Sequence, residues 1–312
     1  MKFATSAANP RAAVQWRGLL PFKDAWPYPH TLSIEAKRFW ARQRNRFYVK
    51  SEKLLALFFV GGGKKILFSE KPDWMDYIRD GFRGLPHQVD FGPITMESYD
   101  RYDAVVPLTI DSLDEARRYS HLKKNLLPVP SAESVRLCND KYEFNRALIR
   151  AGYRDFIPRM GIGQDLSPPY ILKKRVGWWG DGCYIIRNRD DEQTHLEHIN
   201  DPDYFCQEFI PGPVEFATHV LFSNGRIIKA LNIKYEFASD SPIKGQDPDL
   251  LKAVHRCSYL NLFARVLRTV GFEGLCCVNY KVARGRPFLL EINPRFGGSL
   301  GSFFFSFVRH LR

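Results

Sequence analysis

The stretch FLLEINPRFGGS, residues 288–299, decides how this chain is read. Its first six residues alternate as a strand does, with Leu290 and Ile292 on one side and Glu291 and Asn293 on the other. Two oxygen-bearing side chains at i and i+2 on a strand can grip a hard cation such as Mg²⁺. Pro294 sets a turn and Arg295 follows it. Gly297-Gly298 then offers bare N–H groups ahead of a short C-terminal helix, where an anion can sit. Standing alone, the stretch reads equally well as a strand ending in a polar turn.

The strand before it is LCCVNYKV, residues 275–282. If Arg284-Gly285-Arg286 forms a three-residue turn, which Gly285 permits, Asn279 lies opposite Glu291 on the same face. A two-residue turn sets Asn279 opposite Leu290 instead, facing away. Further upstream, PYILKKRVGWWGDGCY (169–184) is a strand carrying Lys173, then a loop with Gly177, Gly180 and Gly182. A lysine beside such a loop suits a polyphosphate, which takes a point charge together with backbone N–H donors; a plain hairpin is the alternative. QEFIPGPVE (207–215) places Glu208 and Glu215 about a Pro-Gly turn, and alone says only that. GGGKK at 61–65 lacks the GxxxxGK[ST] spacing of a P-loop.

The order of these segments, with NDK at 139–141 ahead of them, resembles the ATP-grasp superfamily from residue 128 to 310. It is nearest to ligases similar to carbamoyl phosphate synthetase and L-amino-acid ligase. The resemblance implies an α/β (α+β) ATP-grasp fold behind a small N-terminal α/β domain. It implies ATP with Mg²⁺, or Mn²⁺ in its place, and a ligase that joins a carboxylate to an amine or similar nucleophile through an acyl phosphate. Carried over by position, Lys141 and Lys173 reach the ATP phosphates, with Gly180 and Gly182 in the loop beside them. Glu208, Phe209 and Ile210 form the adenine-recognising segment, and Glu215 binds the ribose hydroxyls. Glu291 and Asn293 are metal ligands, Asn279 falls where a further metal-side group is expected, and Arg295 lies near the transferred phosphoryl group, with Lys173 as its catalytic companion. Two departures stand out: Trp178 and Trp179 occupy the middle of the loop, and Asn279 carries no charge where many relatives are acidic.

Alternation of strands and helices over 65–130 (KILFS, PDWMDYIRDGF, HQVDFG, YDAVVPLT, SLDEARRYSHLKK) predicts a small layer with a parallel sheet. Leu54–Val60 reads as an apolar strand before Gly61-Gly62-Gly63, and Ser33 as the cap of a helix through residues 34–48. Asn139 or Asp140 caps KYEFNRALIRAG. Residues 190–199 and 249–270 read as helices, the second a long one; 204–209, 215–222, 226–233, 275–282 and 288–293 read as strands. The expected division is a basic extension at 1–60, irregular over 1–31, an α/β domain at 61–130 and the ATP-grasp region at 131–312.

The first 60 residues hold eleven Lys/Arg against three Asp/Glu, a surplus of eight within a chain total of +12. That segment can meet an acidic macromolecule or an anionic surface, or simply be a solvated basic helix. No run of 18 apolar residues spans a membrane, the N-terminus has no secretory h-region, and the six cysteines lack CxxC spacing. These point to a cytoplasmic protein with reduced core thiols, with homodimers common among relatives. His195 and His198 read as a solvated helical face, and His219, Asn232, Lys234 and Tyr235 as residues of the core or the substrate pocket. Two rivals to a small-molecule ligase remain: a ligase acting on a peptide, protein or polysaccharide, and a non-catalytic nucleotide- or nucleic-acid-binding protein.

Overall fold

A computed structural model describes residues 33–59, 62–122, 127–161 and 166–311. The irregular arm expected at 1–31 lies outside them. Helix α1 (Ile34–Phe59) starts where Ser33 Oγ accepts from Ala36 N at 3.3 Å. It runs on through Leu54–Phe59, so the expected strand there is the end of this helix. No Gly or Pro interrupts 34–59, and Ala41, Glu52 and Ala56 are buried at helical spacing.

Next comes the small layer: β1 (Lys65–Phe68), α2 (Pro72–Phe82), β2 (Gln88–Phe91), α3 (Met96–Arg101), β3 (Ala104–Val106) and α4 (Ile110–Tyr119). Its strands are parallel in the order β2-β1-β3, as the alternation predicts. The helices α5 (Ala132–Asn139) and α6 (Lys141–Arg150) lead to a first antiparallel sheet. This contains β4 (Met160–Gly161), β5 (Tyr170–Lys174), β6 (Cys183–Ile186), the helices α7 (Arg189–Thr194) and α8 (Leu196–Ile199), and β7 (Tyr204–Glu208), with strand order β4-β7-β5-β6. The helix expected at 190–199 is therefore broken at His195, and α3 and α5 were not expected.

The second antiparallel sheet has the order β10-β9-β8-β11-β12. Its members are β8 (Val214–Ser223), β9 (Arg226–Phe237), β10 (Asp249–His255), β11 (Gly274–Ala283) and β12 (Arg286–Asn293), with α9 (Leu260–Thr269) between β10 and β11. The long helix expected at 249–270 is thus a strand followed by a helix. Leu251 and Ala253 alternate inward and meet Ala41 of α1, whereas Leu262, Phe263, Val266 and Leu267 recur with helical spacing. A six-residue 3-10 turn (Gly298–Phe303) and α10 (Phe305–Val308) follow.

The two faces of the second sheet bury different neighbours. Val220, Phe222, Val278 and Tyr280 pack on α9. Ala217, Leu221, Ile233 and Leu275 pack on Phe296, Phe304 and Phe307, which in turn meet Phe68, Trp74 and Ile78 of the small layer. The aromatic segment 296–307 is thus the shared core of both units; Phe68 and Phe304 lie 5.4 Å apart, edge to face. The second face, the one with Ala217 and Leu275, also carries Glu215, Asn279, Glu291 and Asn293, since Asn279 pairs with Ala217 and Glu291 and Glu215 with Tyr235.

Candidate functional site

The hairpin β11–β12 places the acid at the centre. Ala283 pairs with Arg286, so the turn has two residues, Arg284 (φ 52°) and Gly285 (φ 73°), and not three. By parity alone that would turn Asn279 away from Glu291. A β-bulge corrects it: Tyr280 pairs with Leu289 and Asn279 with Glu291, leaving Leu290 as the extra residue. Glu291 Oε1 accepts from Asn279 Nδ2 at 2.7 Å and from Asn293 Nδ2 at 2.9 Å; Oε2 lies 3.7 Å from Lys141 Nζ. Burial pushes the Glu291 carboxyl up, but Lys141, Asn293, Lys173 and Asn279 together outweigh it and hold it below the usual carboxylate range.

Lys141 owes its position to a helix cap. Asp140, and not Asn139, is the cap of α6, its Oδ1 accepting from Tyr142 N at 3.0 Å and Glu143 N at 3.1 Å. Arg175 grips the same carboxylate at 2.7 Å and, through its carbonyl, takes the Lys141 N–H at 2.9 Å. The Lys141 ammonium donates to Gly177 O at 2.9 Å. Lys173, on β5, is buried and donates to Gln207 Oε1 at 2.8 Å; burial lowers its pKa, despite the nearby Glu291 and Glu215.

The loop from Gly177 to Gly182 uses left-handed conformations at Trp179, Gly180 and Gly182. Trp178 and Trp179 are 66% and 67% exposed, so neither is core. Gln246, between β9 and β10, ties the loop down by donating from Nε2 to Gly180 O at 2.7 Å and Cys183 O at 3.1 Å.

Glu208 Oε2 accepts from Arg159 N at 3.2 Å at the end of β7. Phe209 lies under Lys281, whose Nζ donates to Ile210 O at 2.9 Å and so joins the two antiparallel sheets. Glu215 meets Lys244 Nζ at 3.2 Å. Burial disfavours the Lys244 charge, but Glu215 and Tyr235 overcome it and hold its pKa above the ordinary value. Arg295 spends one N–H on Phe296 O at 3.2 Å and makes a long contact to Asn293 Oδ1 at 3.5 Å. Lys141, Lys173, Glu291, Asn293, Asn279 and Arg295 therefore gather in one place, with Glu215 linked to them through Lys244. Packing alone already calls for glycine at 297 and 298. The turn that follows is a short 3-10 turn, and a Cβ at either glycine would crowd His219 or Trp74.

Sequence reading missed Gln207, Lys244, Lys281 and Arg175. Arg175 lies two residues past Lys173 and was legible as part of KKR; Lys244 sits in a connection with no periodicity and carries no local signal. His219 is fully buried, its Nε2 2.7 Å from Ser299 Oγ and its Nδ1 without a partner. Asn232 bonds Thr218 at 2.8 Å on the α9 side of the sheet, Lys234 pairs with Glu236, and His195 and His198 stack on Tyr184.

The site's donors fit a magnesium ion. One ionised carboxylate with a neighbouring amide oxygen, completed by substrate phosphates, is the sparse set that Mg²⁺ accepts. Among the described residues no group of three or more His, Cys, Asp or Glu could hold a metal by itself.

A family profile described as an ATP-grasp domain matches residues 138–299, just over half of the chain. The chain belongs to the ATP-grasp family. ATP and Mg²⁺ are the cofactors of that family. This ATP-grasp chain is 25% identical over 151 residues to phosphoribosylaminoimidazole carboxylase of Saccharomyces cerevisiae, covering 43% of itself and 26% of that protein. It is 26% identical over 182 residues to the carbamoyl phosphate synthase large chain of Thermoplasma acidophilum, covering 52% and 17%. It therefore spans only a fraction of the length of these relatives. Among solved structures it shares its fold with the L-amino acid ligase of Bacillus licheniformis, at a TM-score of 0.53 and 14% identity over 78% of this chain and 69% of that one.

Proposed function

We propose that the chain is an ATP-dependent ligase that activates a carboxylate as an acyl phosphate, joins it to an amine or similar nucleophile and releases ADP and phosphate. The observation that carries this reading is the gathering of Lys141, Lys173 and Arg295 about the ionised Glu291. A carboxylate attacking a phosphoryl group brings anion to anion, and at about 4 Å each unit pair repels by about 4 kcal/mol at an effective dielectric near 20. Three placed cations offset that repulsion before the reaction begins.

In this reading Lys141 and Lys173 hold the ATP phosphates, Arg295 faces the transferred group, and Glu208 to Ile210 lie along the adenine. Glu291 and Asn293 would hold Mg²⁺, which supplies Lewis-acid charge to the phosphoryl oxygens. The loop bearing Trp178 and Trp179 excludes water from the acyl phosphate when closed. The reading places the enzyme in the cytoplasm, and among the described residues no helix is long and apolar enough to cross a membrane. The test is release of ADP and phosphate from Mg-ATP against pooled carboxylic acids and amines, with Glu291→Ala as the blank. Release that needs one acid and one amine supports the ligase; nucleotide binding with no release in any pool favours a sensor.

A second reading, an acidic macromolecular acceptor, is favoured by the exposed Arg42, Arg46 and Lys50 along α1. Charge reversal at these three should raise KM for such an acceptor alone and leave KM for ATP unchanged.

A further inference from the structure

Lys244, in the connection from β9 to β10, ends between two polar groups of the site. Its Nζ lies 3.2 Å from Glu215 Oε1 and donates to Asn279 Oδ1 at 3.3 Å. It also stands 4.3 Å from the centre of the Tyr235 ring. These contacts fix which way the Asn279 amide points. The oxygen faces the ammonium and takes a further donation from Cys277 Sγ at 3.6 Å; the nitrogen faces Glu291 Oε1 at 2.7 Å. Exchanging the two would set nitrogen donors against the ammonium and an oxygen against the carboxylate. Of Glu215, Asn279, Glu291 and Asn293, Glu215 is neutralised by Lys244 and Asn279 offers Glu291 a donor. Only Glu291 and Asn293 keep oxygen for a divalent ion.

We infer that Lys244 is a resident cation filling the Glu215–Asn279 side of the site, so that the nucleotide brings in a single divalent cation, at Glu291 and Asn293. This rests on the Mg-ATP reading of the site. It makes Asn279 a positioning residue and not a ligand. A second divalent ion beside Glu215 would have to sit against a fixed positive charge, with an amide nitrogen turned toward it. The same connection, through Gln246, also holds the loop that bears Trp178 and Trp179.

The test counts Mn²⁺ bound to the full chain in the presence of β,γ-imido-ATP, by equilibrium dialysis and electron paramagnetic resonance. Wild type and Lys244→Arg should each hold one nucleotide-dependent Mn²⁺ with the spectrum of an isolated ion. Lys244→Met should hold two, with a spin-coupled spectrum, and the double variant Lys244→Met/Glu215→Gln should return to one. Two ions in wild type, or one in Lys244→Met, overturns the assignment; the wild-type count stands even if a variant does not fold. No nucleotide-dependent Mn²⁺ in any form overturns the Mg-ATP reading itself.

Discussion

At the scale of single residues, Glu291 and His219 lead to different experiments. Glu291→Ala leaves Lys141 and Lys173 without their shared counter-charge. Turnover should fall by at least about 100-fold, while the far-ultraviolet circular dichroism stays that of wild type. His219 gives a pH dependence. Burial, reinforced by Lys244 and Lys252, depresses its pKa to about 3, so the folded protein keeps the ring neutral where the unfolded chain protonates it. The unfolded state then binds more protons below the ordinary histidine range, and stability falls as pH falls. The contribution is complete above pH ~6.5 and drops by at most about 1.4 kcal/mol per unit below it, levelling off near the depressed value. Urea unfolding between pH 7.5 and 5 should show that slope in wild type and a shallower one in His219→Gln. None of this environment was legible in the sequence, where His219 was one of several strand residues after Glu215. Its ring packs against Gly297, 78 positions away in the chain.

Elements show why reading a site from spacing both succeeds and fails. The alternation in residues 288–293 was enough to put Glu291 and Asn293 on one face, because a strand's period is fixed by its pleat. The pairing of Asn279 with Glu291 needed one odd residue somewhere in the hairpin. The expected place was the turn; the structure puts it at Leu290, and a bulge leaves no mark in composition. The misread 249–270 helix has a related cause. A seven-residue stretch with four apolar residues fits strand or helix until its partner is known, and here the partner is β9 on one side and α1 across its face. The connection between those strands carries the next prediction. Gly245 has φ 101°, and a Cβ there would overlap the Trp179 carbonyl. Gly245→Ala should therefore detach the glycine loop, raise KM for ATP several-fold, and cost about 1 kcal/mol or more of stability. Steady-state kinetics alongside thermal unfolding checks it.

For the molecule as a whole, α1 is more than the basic appendage its charge implied. Asn45 donates to Lys252 O at 3.0 Å and accepts from Val254 N at 2.8 Å, so its side chain caps the open edge of β10. Glu52 meets Lys229 and Arg309, both at 3.1 Å, binding the helix to the second sheet and to the segment after α10. Removing one member of a buried charge cluster costs about 3 kcal/mol, so Glu52→Ala should lower the unfolding midpoint clearly in a thermal or urea melt. Lys229→Ala with Glu52→Ala should cost less than the two single losses added together. Charge alone could not reveal this, since Glu52 is one of three acids set among eleven basic residues in the first 60.

The aromatic segment 296–307 has a consequence for the birth of the protein. Ile66, Phe68 and Trp74 are covered by residues roughly two hundred positions further along, a separation that slows folding through the entropy of closing so long a loop. On the ribosome the small layer must therefore wait with its oily side uncovered until that segment has emerged. A released chain truncated before residue 296 should bind a chaperone that the released chain extending through residue 312 does not.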